Sequence, residues 1–125
     1  MLDPVALATE LVAIDSVNPS LVTHARGESA IATWCADWLA ARGLEVTTLE
    51  SREGRPSVVA IARGAGGGRS IMLGGHLDTV GVATFSGEPF APEVRDGNLY
   101  GRGAFDMKGA VAAIMVAAAR VAGHT

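Results

Sequence analysis

Apolar residues recur at helical spacing twice near the start of the chain, at Leu7, Leu11 and Ile14, then at Ile31, Trp34, Cys35, Trp38 and Leu39. The first stripe follows Asp3-Pro4, a capping residue and a favoured first helical residue. That helix should stop before Ser16-Val17-Asn18-Pro19, because Pro19 disfavours the helical conformation at Asn18. The second stripe predicts a helix over residues 28–42, closed by Gly43.

The period then changes to two. Residues 44–49 predict a strand with Leu44, Val46 and Thr48 on one face and Glu45, Thr47 and Leu49 on the other. Residues 57–62 (SVVAIA) are apolar in the manner of a strand covered on both faces. Beyond the turn GAGGG, residues 70–73 predict a third, buried strand. Asp96-Gly97-Asn98 predicts a hairpin turn within a Gly- and Pro-rich stretch. Residues 107–121 predict an Ala-rich helix, apolar on nearly every side and so buried. Helices before and after the strands give the α/β class. There are no internal repeats.

Composition narrows this picture. A chain of 125 residues suits one domain with a real core. With 49% apolar and 18% charged residues it should fold as a globule. A net charge of −3 and a pI near 5.5 leave no electrostatic footprint for nucleic acid. No basic run favours an anionic membrane. The start MLDPVALATE does not read as a signal peptide, and AVAAIMVAAARVA is too short to span a bilayer and contains Arg120. Cys35, the single cysteine, has no internal disulfide partner. A reduced, cytoplasmic protein is the expectation.

Most chemical candidates have a bland reading that wins. A dinucleotide site needs a helix after its glycines, whereas a strand follows GAGGGR and Arg69 stands at the third glycine position, so it is a turn. Cys35 lies on an apolar stripe with Trp34 and Trp38 and reads as a small buried hydrophobe. His24 and His124 read as solvated, and Glu88, Glu93 and Asp96 as surface charges.

Two places remain open. In GGHLDTV, His76 and Asp78 are two residues apart at a strand end, so both can face one crevice where α/β sheets bind ligands. There an imidazole could ligate zinc with a carboxylate fixing its tautomer. A hydrogen-bonded pair closing a loop is the alternative, and spacing alone does not choose. In GRGAFDMKG, Asp106 could be an N-cap. A buried helix after it would instead place the carboxylate inside the protein, where it needs a partner or a metal. Lys108 could pair with it, although residues two apart do not face each other on a helix.

Taken in order, GGHLDTV, Pro89-Phe90 with Asp96-Gly97-Asn98-Leu99-Tyr100, and GRGAFDMKGA resemble a family of metal-dependent hydrolases. It includes acetylornithine deacetylase, succinyl-diaminopimelate desuccinylase, aminoacylase and the glutamate carboxypeptidases. The opening LVAIDSVNPS is similar to the family's first helix and loop. The resemblance implies a zinc-peptidase-like catalytic domain, a mixed sheet flanked by helices, with a smaller lid domain that often dimerises. It implies that His76 ligates one metal ion, that Asp106 bridges two, and that Asp78 is the catalytic-site carboxylate holding His76. Two divalent ions are implied, zinc foremost, with cobalt or manganese able to occupy similar sites. The implied reaction is hydrolysis of an amide or peptide bond in a small N-acyl amino acid or short peptide.

The family's adjacent glutamate pair, its further acidic ligand and its distant histidine have no counterpart after Asp106. Residues 1–125 are therefore expected to be the N-terminal part of the catalytic domain, inert alone. The competing class is a non-catalytic binding domain that keeps the fold.

Overall fold

The structure, a computed structural model, describes residues 2–123; His124 lies outside them. Helix α1 (Pro4–Val12) begins as its sequence dictates, with Asp3 Oδ1 accepting the Val5 N–H at 2.8 Å. Helix α2 (Ser29–Ala40) ends ahead of Gly43, which takes the left-handed φ of 86°. Ile31, Cys35 and Leu39 are buried, while Trp34 and Trp38 are half-buried against that core. The Arg42 guanidinium lies 3.7 Å over the Trp38 ring. Burial pushes the Cys35 thiol up to about 12, the behaviour of an inert packing residue.

Strands β1 (Glu45–Leu49) and β2 (Ser57–Ile61) pair antiparallel, with Val46 opposite Ala60. Strands β3 (Glu93–Arg95) and β4 (Asn98–Tyr100) form a separate hairpin. Its two turn residues, Asp96 and Gly97, have φ of 52° and 80°, the mirror-image turn that matches strand twist. A wide turn (Ala104–Lys108) leads into α3 (Gly109–Ala122). Helix α3 packs on α1, and the two join α2 around Leu7, Leu11, Ile31, Val111, Ala112 and Met115. Burying each large member stabilises by about 1.5–3 kcal/mol.

Four expectations need correction. First, the described residues hold two separate two-stranded antiparallel sheets and not a single mixed sheet. Second, β2 is not covered on both faces: Val58 and Ala60 face the core, but Val59 and Ile61 are 44% and 42% exposed. Third, residues 70–73 form no strand; Ile71 and Met72 are 84% and 93% exposed, with no neighbouring strand among the described residues to pair them. Fourth, α3 is buried on one face only, since Ala110, Ala113, Ala117 and Arg120 line an open side. The last three share one physical reason: apolarity in sequence marks a surface that can be buried, and burial also needs a partner. No helix among the described residues is long and apolar enough to cross a membrane.

Candidate metal centre

His76 and Asp78 sit on an irregular segment fastened to the loop after α1. Asn18 N–H donates to Thr79 O at 2.9 Å and Thr79 N–H donates to Ser16 O at 3.0 Å, a short parallel bridge. Ser16 Oγ donates to Leu77 O at 2.7 Å, and Asn18 Nδ2 to Asp78 Oδ2 at 2.9 Å. Gly75 permits this course, since a Cβ there would lie 3.0 Å from Met107 Cε and 3.2 Å from Val111 Cγ2. The His76 N–H then points at Met107 Sδ, 3.4 Å away.

The imidazole is held at both nitrogens. Nδ1 lies 3.0 Å from Asp78 O and 3.3 Å from Asp78 Oδ1, while Nε2 lies 2.9 Å from Asp106 Oδ1. Burial pulls the imidazole pKa down, but the Asp106 bond and the Asp78 carbonyl and charge outweigh it and raise it.

Asp106 reaches this point from the wide turn, where Lys108 N–H donates to Gly103 O at 2.8 Å. The Asp106–Met107 peptide bond is cis. Neither alternative reading of Asp106 holds. Its side chain is 74% exposed and not buried, and α3 begins three residues later with no side-chain cap. The inward-pointing residue of this turn is Lys108, which is fully buried and donates from Nζ to Ile14 O at 2.7 Å. It does not pair with Asp106. Burial lowers its pKa to about 8, against the opposing charge of Asp15. Gly103, at φ 85°, lets the turn close over it: a Cβ there would fall 2.7 Å from Thr79 Cγ2 and 3.1 Å from Lys108 Cδ.

The chemistry of the donor set fits part of a cation site. Each ring nitrogen faces an acceptor, Nδ1 the Asp78 carbonyl and carboxylate and Nε2 the Asp106 carboxylate, and a neutral ring has one proton for the two. With the proton on Nδ1, the Nε2 lone pair is turned to a carboxylate oxygen, a contact that a metal ion shared by the two would relieve. His76 and Asp106 are two donors for one ion. Among the described residues, no group of three or more His, Cys, Asp or Glu completes a set. Asp78 spends its carboxylate on Asn18 and on Nδ1. Ser16, Asn18 and Lys108 were not singled out from the sequence as functional. Only the SVNPS stretch, similar to the family's opening loop, signalled the first two.

Residues 72–125 match the profile described as peptidase family M20/M25/M40. The whole chain also aligns with proteins named succinyl-diaminopimelate desuccinylase. That of Parvibaculum lavamentivorans is 38% identical over 95% of this chain and 30% of its own length. That of Xanthomonas campestris pv. campestris is 40% identical over 98% and 31%. That of Rhizorhabdus wittichii is 34% identical over 99% and 32%. The chain thus spans about a third of the length of the curated relatives it matches.

Proposed function

We propose that the chain, which matches the profile of peptidase family M20/M25/M40 over residues 72–125 and aligns with desuccinylases, is a member of that family and carries part of the metal centre of an amide-bond hydrolase. The substrate class is a small N-acyl amino acid, and the relatives' names favour an N-succinyl diamino acid. Residues 1–125 are, on this reading, the N-terminal part of a zinc-peptidase-like catalytic domain. Its lid and dimerisation domain and its general base belong to other sequence. Zinc is the ion best suited to an imidazole and carboxylates, with cobalt or manganese as substitutes.

One observation carries the proposal: His76 Nδ1 lies against Asp78 while Nε2 lies 2.9 Å from Asp106 Oδ1, an imidazole and a carboxylate side by side. Asp78 holds the ring in the tautomer that leaves Nε2 free to ligate. Asp106, largely exposed, presents its carboxylate beside it. The ions, when bound, supply Lewis-acid polarisation of the scissile carbonyl and acidify the attacking water. The two carboxylates favour the protonated ring, so Nε2 becomes available to a metal only above the raised imidazole pKa, and metal uptake should increase as pH rises through it.

Zinc titration of the full chain, read by calorimetry, tests this. Binding should strengthen with pH and vanish in His76→Ala and in Asp106→Ala. Undiminished binding in either variant sinks the assignment. Cleavage of N-succinyl amino acids by the 125 residues with added zinc or cobalt, if lost in His76→Ala, would overturn the view that they are inert alone.

A further inference from the structure

Asn18 sits just before Pro19, which keeps its backbone extended and out of α1. Its side-chain amide has both ends committed: Oδ1 accepts the Ser20 N–H at 2.7 Å, and Nδ2 donates to Asp78 Oδ2 at 2.9 Å. The two oxygens of Asp78 are thereby divided, Oδ2 to Asn18 and Oδ1 to the His76 ring, 3.3 Å from Nδ1. The backbone on either side of Asp78 is fixed independently, through Leu77 O to Ser16 Oγ and through the backbone N–H and C=O of Thr79 to residues 16 and 18. What the backbone leaves free is rotation of the carboxylate itself, and Asn18 is the donor that sets it.

We propose that Asn18 is a positioning residue for the Asp78 carboxylate and, through it, for the His76 imidazole. It makes no contact with the face of the ring turned to Asp106. Asn18 acts by holding one carboxylate oxygen so that the other stays on Nδ1. A carboxylate bonded directly to a ligating imidazole typically changes metal affinity about 10–100-fold when removed, and Asn18 acts one bond further out, at the lower end of that range. The inference rests on the metal centre proposed above for its zinc arm only; its second arm needs no metal.

Asn18→Asp is the sharpest variant. It keeps an acceptor for the Ser20 N–H but turns the donor into a second carboxylate against Asp78, a like-charge contact that must separate. The chain has three histidines, so long-range proton–nitrogen spectra can resolve each ring. In the metal-free parent above the imidazole's titration, Asp78 and Asp106 compete for the one ring proton, and the Nδ1 to Nε2 tautomer ratio of His76 reports the balance. In N18D that ratio should shift towards Nε2, and zinc affinity should fall about tenfold. An unchanged tautomer together with zinc affinity within twofold of the parent overturns the proposal. His76→Ala separates the two readings. If it binds zinc as the parent does, the metal reading fails, and the tautomer comparison alone decides the role of Asn18. Should N18D not fold, Asn18→Ala removes the donor without adding charge and is read in the same two ways.

Discussion

On the helical side of the molecule, Leu11, Ile31 and Ala112 have no exposed surface, whereas Ile71 and Met72, just ahead of His76, are 84% and 93% exposed. The first region is held by apolar burial among α1, α2 and α3. The second is held by a few polar bonds: Ser16 to Leu77, Asn18 to Asp78, and Lys108 to Ile14. These forces fail differently. Burial is non-directional and sums over many contacts, so losing part of it lowers stability throughout. A polar bond fixes one atom relative to another, so losing it disturbs geometry first. The site therefore sits on the part of the chain where position is determined by few interactions.

The largest expected effect follows from the helical side. Leu11→Ala removes a fully buried side chain from the α1–α3 contact. It should cost about 2–5 kcal/mol, the range for leucine truncation in a packed core. Urea denaturation measures this directly. A loss under about 1 kcal/mol would mean that the helices are not tightly packed in solution, and the contrast between the regions would collapse.

Lys108 joins the two regions and behaves like neither. It is the chain's single lysine, wholly buried, its charge facing a backbone carbonyl. Its pKa drops to about 8 in the folded protein from 10.5. Between those values the unfolded chain binds more protons, so stability should rise with pH from about 8 and level off near 10.5. The shift corresponds to roughly 3 kcal/mol. Cys35 works in the opposite sense from 9.0 to about 12, because its thiol stays protonated longer when folded. The two groups feel each other's charge, so Lys108→Met is made in a Cys35→Ala background, where the difference between the two stability–pH curves isolates Lys108. Parallel curves across that interval would mean that the ammonium is solvated. At neutral pH the variant loses the Ile14 bond and the cost of burying charge together, so its net change should be smaller than that of Leu11→Ala.

What the sequence disclosed divides along the same line. Signals carried by adjacent residues were legible: the Asp3-Pro4 start, the stop at Gly43 and the Asp96-Gly97 turn each depend on local backbone preference. The motifs around His76 and Asp106 identified side chains that the fold brings within 2.9 Å. Their supports were not legible, because each spans the fold. Asn18 read as a helix stop before proline, yet its amide bonds a carboxylate 60 residues on. Lys108 read as a partner for Asp106, yet it reaches a carbonyl 94 residues back. The apolar run at 70–73 misled for the complementary reason, since hydropathy describes a surface and not what covers it.

That run supplies the smallest expected change in stability. Met72 makes little contact within the chain at 93% exposure, so Met72→Lys should alter folding stability by less than about 0.5 kcal/mol. Association should change instead. Ile71, Met72 and the 99% exposed Phe105 present apolar side chains to solvent, and residues 70–73 lie outside both sheets, leaving an unpaired stretch open to other chains. A charge placed in that stretch opposes such pairing. Met72→Lys should therefore raise the concentration at which the chain stays monomeric in sedimentation, with an unchanged midpoint in urea. If it lowers stability at high protein concentration but not at low, Met72 is packed against a second copy, and the exposed region is an interface. If it lowers stability by more than about 1 kcal/mol at every concentration, the segment is packed within the chain in solution. The two regions would then differ in degree only.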